Sequence, residues 1–236
     1  IFSCIMHPER SEDTINRLMN GLNQKELKLL EKVLVEVYKM NSDFGMPTLP
    51  TGSILRHLYQ RRLFNYFFPK YKNVLEVGPG AGYFSLLLNK DNRNVYCTDV
   101  SQAYYLYQHY LFKKFDCLSE FFDFNKKNKI NNKIKHIPWF FFKNIPSNAN
   151  IDLDCIIVNH AICEMHLLAV RHLLKFATIF KVKNFFMEGQ GSDVVSLKFA
   201  EIKKIFLSYG YYLKYSKNEV FIFEYDLEKC NKYIII

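Results

Sequence analysis

Two groups of residues in this chain have types and spacings suited to chemistry. The first is the run VLEVGPGAG at residues 74–82, an apolar strand carrying Glu76, then Gly78, Gly80 and Gly82, with YFSLLL opening a helix behind it. Glycines gather in this way where a backbone passes close to a ligand at the C-terminal edge of a parallel sheet, because a Cβ would collide with it. Asp99 ends the following strand, CTDV, 23 residues after Glu76. A carboxylate there can accept two neighbouring hydroxyl hydrogens at once. A dinucleotide loop would need a third small residue at position 83, which is Tyr83, and has no use for Glu76. The second group is Asn159, His160, Glu164 and His166 in VNHAICEMH, at the exit of a later strand. A histidine with a resting pKa of about 6.5 is matched to taking a proton from a hydroxyl at neutral pH.

The acidic-x-Gly-x-Gly-x-Gly pattern resembles the first motif of class I S-adenosylmethionine-dependent methyltransferases. VLEVGPGAGYFS, DVSQAYYLYQ, HIPWF, VNHAICEMH and MEGQG together resemble the sugar O-methyltransferases of bacterial surface-polysaccharide and nucleotide-sugar pathways, over roughly residues 42–225. The resemblance implies a Rossmann-like fold with a seven-stranded, mostly parallel sheet ending in an antiparallel hairpin. It also implies S-adenosylmethionine as cofactor and a sugar hydroxyl as methyl acceptor. Cofactor contact passes by resemblance to Glu76, Gly78, Gly80, Gly82 and Asp99, with Ser101 and Gln102 facing the adenosine and Asn159 at the strand exit. Trp139 is either an aromatic wall for the adenine or ordinary core packing.

Methyl transfer from a sulfonium asks mainly for positioning, with a base to take the acceptor proton. His160 is the candidate base, Glu164 orients it or bonds a neighbouring sugar hydroxyl, and His166 is an alternative base. The spacing H-x3-E-x-H lacks the i, i+4 histidine pair of a zinc helix, so no catalytic metal is expected. A divalent ion held by Glu164 and Glu188 with the sugar hydroxyls stays open. Arg56, Arg61 and Arg62, with His57, suit a phosphate or acidic sugar group, or else form a solvated helix face with ion pairs.

These residues need elements to position them. Leu27, Leu30, Val33, Leu34, Val37 and Tyr38 recur at helical spacing between Asn23 and Met40, and Asn23 with Glu26 forms a capping box. A second helix through Ile54, Leu55, Leu58, Leu63 and Tyr66 is stopped by Pro69. Residues 1–70 therefore read as a helical lead-in or cap, and 71–236 as the methyltransferase domain. NVLEV, NVYCTDV, IKHIPW, DCIIVN and NFFME alternate with helical stretches, which gives a parallel sheet covered on both faces. A helix from about Val194 closes at Gly210, and YYLKYS and EVFIFEY flank Lys217 and Asn218 as a hairpin. FNKKNKINNK, residues 124–133, reads as a solvated loop.

A net charge of +9 suggests nucleic acid or phosphorylated partners, but 25 of the 32 basic residues are Lys. A nucleic-acid face favours clustered Arg, so the charge reads as compositional drift and nucleic acid is not the expected partner. Six scattered cysteines without a C-x-x-C pair fit a reducing cytoplasm. No apolar stretch reaches the length of about eighteen residues that spans a bilayer. IFSCIM is too short for a signal-peptide core, although the chain opens on Ile1 and a preceding segment stays open. Two other readings remain: an RNA or small-molecule methyltransferase, disfavoured for RNA bases by NHAI standing where an N-P-P-Y tetrad would be, and a scaffold subunit that binds no cofactor.

Overall fold

The computed structural model describes residues 21–119, 133–188, 198–217 and 220–234. α1 (Gln24–Asp43) starts from the expected capping box: Glu26 N–H donates to the Asn23 side chain, and the Glu26 carboxylate accepts the Asn23 N–H, each at 3.0 Å. Its buried residues Leu30, Val33, Val37 and Met40 form one stripe. α2 (Thr51–Phe67) ends two residues before Pro69, which cannot continue a helix.

Strands and helices then alternate: β1 (Asn73–Val77), α3 (Tyr83–Lys90), β2 (Asn94–Asp99), α4 (Gln102–Lys114), β3 (Lys135–Pro138), α5 (Trp139–Phe142), β4 (Cys155–Ile157), α6 (Ala161–Glu164), α7 (Leu167–Ile179) and β5 (Asn184–Glu188). α8 (Phe199–Ser208), β6 (Tyr211–Lys217), β7 (Val220–Tyr225) and α9 (Leu227–Ile234) follow. The sheet order is β3-β2-β1-β4-β5-β7-β6. All neighbours run parallel except β7, which is antiparallel to both β5 and β6. The fold class read from the sequence is the one observed.

Alternation along the strands builds two cores. Val74, Ile157 and Phe186 pack with α1 to α4 through Val33, Leu58, Phe84 and Leu111. Their neighbours Leu75, Ile156 and Phe185 face the opposite layer, with Ile162, Leu173 and Phe206. Each fully buried side chain of this size is worth about 1.5–3 kcal/mol. The lead-in helices thus share a core with the sheet. The chain order reverses between β1 and β4, which opens a crevice at their C-terminal ends.

Cys97, Cys117, Cys155, Cys163 and Cys230 are buried free thiols. Among the described residues no helix is long and apolar enough to cross a membrane. Cys4, residues 124–132 of the Lys-rich stretch, the end of MEGQG, the expected helix start at Val194 and the turn residue Asn218 lie outside the described residues.

Candidate functional site

A cavity of about 760 Å³ lies at this edge of the sheet. Its walls are the loop from Glu76 to Ala81, Thr98 to Ser101 with Tyr104, Trp139, the segment Asn159–Ala161, Glu164 to His166, and one face of α2 carrying Ser53, Arg56, His57 and Gln60. The structure therefore brings together Glu76, Gly78, Gly80, Asp99, Ser101, Trp139, Asn159, His160, Glu164, His166 and Arg56 from the sequence-derived set.

The three glycines do different work. All have positive φ, at 70°, 56° and 82°. A Cβ on Gly78 would stand 2.6 Å from that of Ala161, so this glycine lets the β4 exit approach the loop. A Cβ on Gly82 would meet Phe112 and Gln108 on α4, and Gly82 does not line the cavity. Only Gly80 has open space where its Cβ would be, the geometry of a cradle for a ligand.

Glu76 is 2% exposed and accepts the Ser85 hydroxyl at 2.5 Å. Burial, with the charge of Asp99, outweighs that bond and pushes its carboxyl up to about 7. Asp99 accepts the Ser101 N–H at 2.9 Å and the Gln108 amide at 3.1 Å. Burial still raises its pKa. Gln108 also donates to the Gly80 carbonyl at 2.6 Å and accepts from His136 Nε2 at 2.8 Å, so it ties the loop to the β2 carboxylate. Burial, helped by His109, drives His136 down to about 3, which keeps that ring neutral.

Asn159 is buried, yet its Oδ1 and Nδ2 both lack a partner. Buried amides are seldom left so, and this one lines the cavity. Trp139 lines the cavity while packing 5.5 Å from Phe142. Gln102 is an exposed first residue of α4 and lies outside the cavity walls, because Ser101 as N-cap turns the chain away after Asp99.

Three lining residues, Arg56, Gln60 and His160, converge on Glu188, at the end of β5. Arg56 Nη2 donates to both its oxygens at 3.1 and 3.0 Å, Arg56 Nε to Oε2 at 3.3 Å, and Gln60 Nε2 to Oε2 at 2.5 Å. His160 Nε2 stands 3.2 Å from Oε2, off the line of an ideal N–H bond. Burial alone would raise the Glu188 carboxyl, but His160, Arg56 and Gln60 together pull it down to about 2. Both Glu188 oxygens, expected to meet substrate or an ion, accept donors from within the protein. Among the described residues no three His, Cys, Asp or Glu side chains converge on a metal position.

His160 has φ 58° and ψ −31°, outside the ordinary regions for a non-glycine residue. Its N–H donates to the Glu188 carbonyl at 3.1 Å, which helps to hold the strained turn. Such strain costs about 1–3 kcal/mol and gathers at functional sites. Glu164 is exposed on α6, and no bond ties it to His160. The carboxylate that stands beside His160 is Glu188. His166 N-caps α7, its Nδ1 accepting the Leu168 N–H at 3.3 Å. That bond occupies the lone pair at Nδ1.

The arginines of α2 part ways. Arg61 turns to Asp91, with Nε donating at 2.7 Å, and is absent from the cavity walls; Arg62 turns to Glu26 at 2.6 Å. The ion-pair reading, rather than phosphate recognition, describes them. His57 Nδ1 donates to the Ser53 carbonyl at 2.6 Å, and burial lowers its pKa to about 4.

No family profile and no curated protein matches the chain. Among solved structures it is similar to the SAH-bound methyltransferase PaMTH1 of Podospora anserina, at TM-score 0.53 and 14% identity over 92% of this chain and 97% of that one. The PH0226 protein of Pyrococcus horikoshii aligns at 0.51 and 13% identity over 72% and 90%. A TehB-like SAM-dependent methyltransferase of Corynebacterium glutamicum aligns at 0.50 and 13% over 70% and 86%. The fold is that of the class I methyltransferases. On this methyltransferase fold Gln60, Gln108 and His136 are polar residues of the site that the sequence reading missed. Only Gln60 carried a signal, lying four residues after Arg56 and hence on the same helix face.

Proposed function

We propose that the chain is an S-adenosylmethionine-dependent O-methyltransferase acting on a sugar hydroxyl, in surface-polysaccharide or nucleotide-sugar metabolism in the cytoplasm. The observation that carries the cofactor reading is one cavity shared by the Gly80 cradle, the buried carboxylates Glu76 and Asp99, and the unpartnered amide of Asn159. The SAH named with the Podospora neighbour supports the same reading. Asp99 would accept the ribose hydroxyls, Gly78 and Gly80 would let the backbone close on the amino-acid and ribose portion, Ser101 and Trp139 would border the adenosine, and Asn159 would bond within the cavity. Glu76 would ionise opposite the cofactor's positive charge. When bound, the cofactor supplies a methyl group already activated by its sulfonium.

The acceptor side rests on the VNHAICEMH resemblance and on His160. A carboxylate oxygen only accepts, so Glu188 favours the proton on His160 Nε2 and leaves the Nδ1 lone pair to take the acceptor hydroxyl proton. The His160 side chain is 40% exposed and within reach of an acceptor, whereas His57 at about 4 is a weak base. Transfer of labelled methyl from S-adenosylmethionine to a panel of sugars tests the reading. His160→Ala should lower turnover on the accepted sugar at least about 100-fold with cofactor affinity unchanged. Unchanged turnover would remove His160 from the chemistry.

A further inference from the structure

The α2 wall of the cavity presents Ser53, Arg56, His57 and Gln60, one helix face at i, i+3, i+4 and i+7. Arg56 is the one guanidinium among the described residues that line the cavity, and its donors reach both oxygens of Glu188. The pair is neutral as a unit. His57 is held neutral at about 4 chiefly by burial, and Glu164 adds a negative charge to the same cavity. The excess of positive charge in the chain as a whole is therefore not expressed on this wall. A phosphate placed here would share the cavity with the Glu164 carboxylate and would have to take Arg56 from Glu188.

Gln60 adds a positive requirement. It is 1% exposed and its Nε2 donates to Glu188, which fixes the amide orientation, since a carboxylate cannot donate. Its Oε1 is buried and has no partner. A buried carbonyl oxygen in a cavity wall calls for an O–H or N–H donor from a ligand.

We infer that the acceptor is an uncharged hydroxyl-bearing molecule, one of whose O–H groups donates to Gln60 Oε1, and that no phosphate of the acceptor enters this pocket. Gln60 is then a specificity residue supplied by the helical lead-in. The inference rests on the methyltransferase reading and narrows its substrate to neutral saccharide units.

The test uses the whole chain saturated with S-adenosylhomocysteine. Methyl glycosides of glucose, galactose, mannose and rhamnose, and the matching sugar 1-phosphates, are titrated by saturation-transfer NMR. The expected result is binding of at least one neutral glycoside, weakened tenfold or more in Gln60→Leu, with its 1-phosphate no tighter. Gln60→Met, of equal length, replaces the leucine variant if that one loses S-adenosylhomocysteine affinity. Tighter binding of a 1-phosphate, a glycoside affinity indifferent to Gln60, or no glycoside binding by the loaded protein overturns the inference. Failure of the wild type to bind S-adenosylhomocysteine overturns the reading beneath it instead.

Discussion

Glu76 in β1 and Glu188 at the end of β5 are both buried carboxylates near the C-terminal edge of the same sheet, with relative exposures of 2% and 6%. Around Glu188 the protein assembles Arg56, Gln60 and His160, and the carboxyl sits at about 2. Around Glu76 it offers the Ser85 hydroxyl and the negative charge of Asp99, and burial carries the carboxyl to about 7. One carboxylate is neutralised from within and holds the wall together. The other has no cation among the groups that set its ionisation. The same residue type thus meets opposite surroundings at two places along one sheet edge, and the nearest charges decide its ionisation.

Breaking the comparison at Glu188 should have the largest effect. Glu188→Ala strands Arg56 in a partly buried site, and losing one partner of such a pair costs about 3–5 kcal/mol. Urea unfolding at pH 7 measures it, and a loss below about 1 kcal/mol, the worth of an exposed pair, would deny Glu188 its central place.

The pH dependence of stability sharpens the contrast, because the two groups act in opposite windows. The depressed pKa of Glu188 gives stability present above about 4.5 and lost as pH falls toward about 2. The raised pKa of Glu76 gives stability present below about 4.5 and lost as pH rises through about 7, on the order of 3 kcal/mol. Glu76→Gln should therefore flatten the decline between pH 4.5 and 7 in the ligand-free protein, followed by urea midpoints. Parallel profiles for variant and wild type would show that Glu76 is not held protonated by its burial.

The same contrast explains what could be read from the sequence. The glycine loop, Asp99, the capping box at Asn23 and the alternation of strands and helices along the chain are local, since each follows from residue type, capping or a short period within a few residues. The Glu188 wall joins residues 132 positions apart, and no spacing in the chain announces that Arg56 meets Glu188 while Arg61 meets Asp91. Gln108 was hidden for the same reason: its link between Gly80 and Asp99 depends on α4 lying against the loop. Even the glycines were legible only in part. The run of glycines was plain, but the neighbours that exclude a Cβ at Gly78 and Gly82 come from α6 and α4, which the run does not announce.

Calorimetric titration with S-adenosylhomocysteine, with NAD and Asp99→Ala as controls, tests the central claim that the loop side of this cavity is a cofactor site. The account predicts micromolar affinity in the wild type, a loss of tenfold or more in Asp99→Ala, and no binding of NAD. A folded wild type that binds no S-adenosylhomocysteine, or binds it as well without the Asp99 carboxylate, would contradict it.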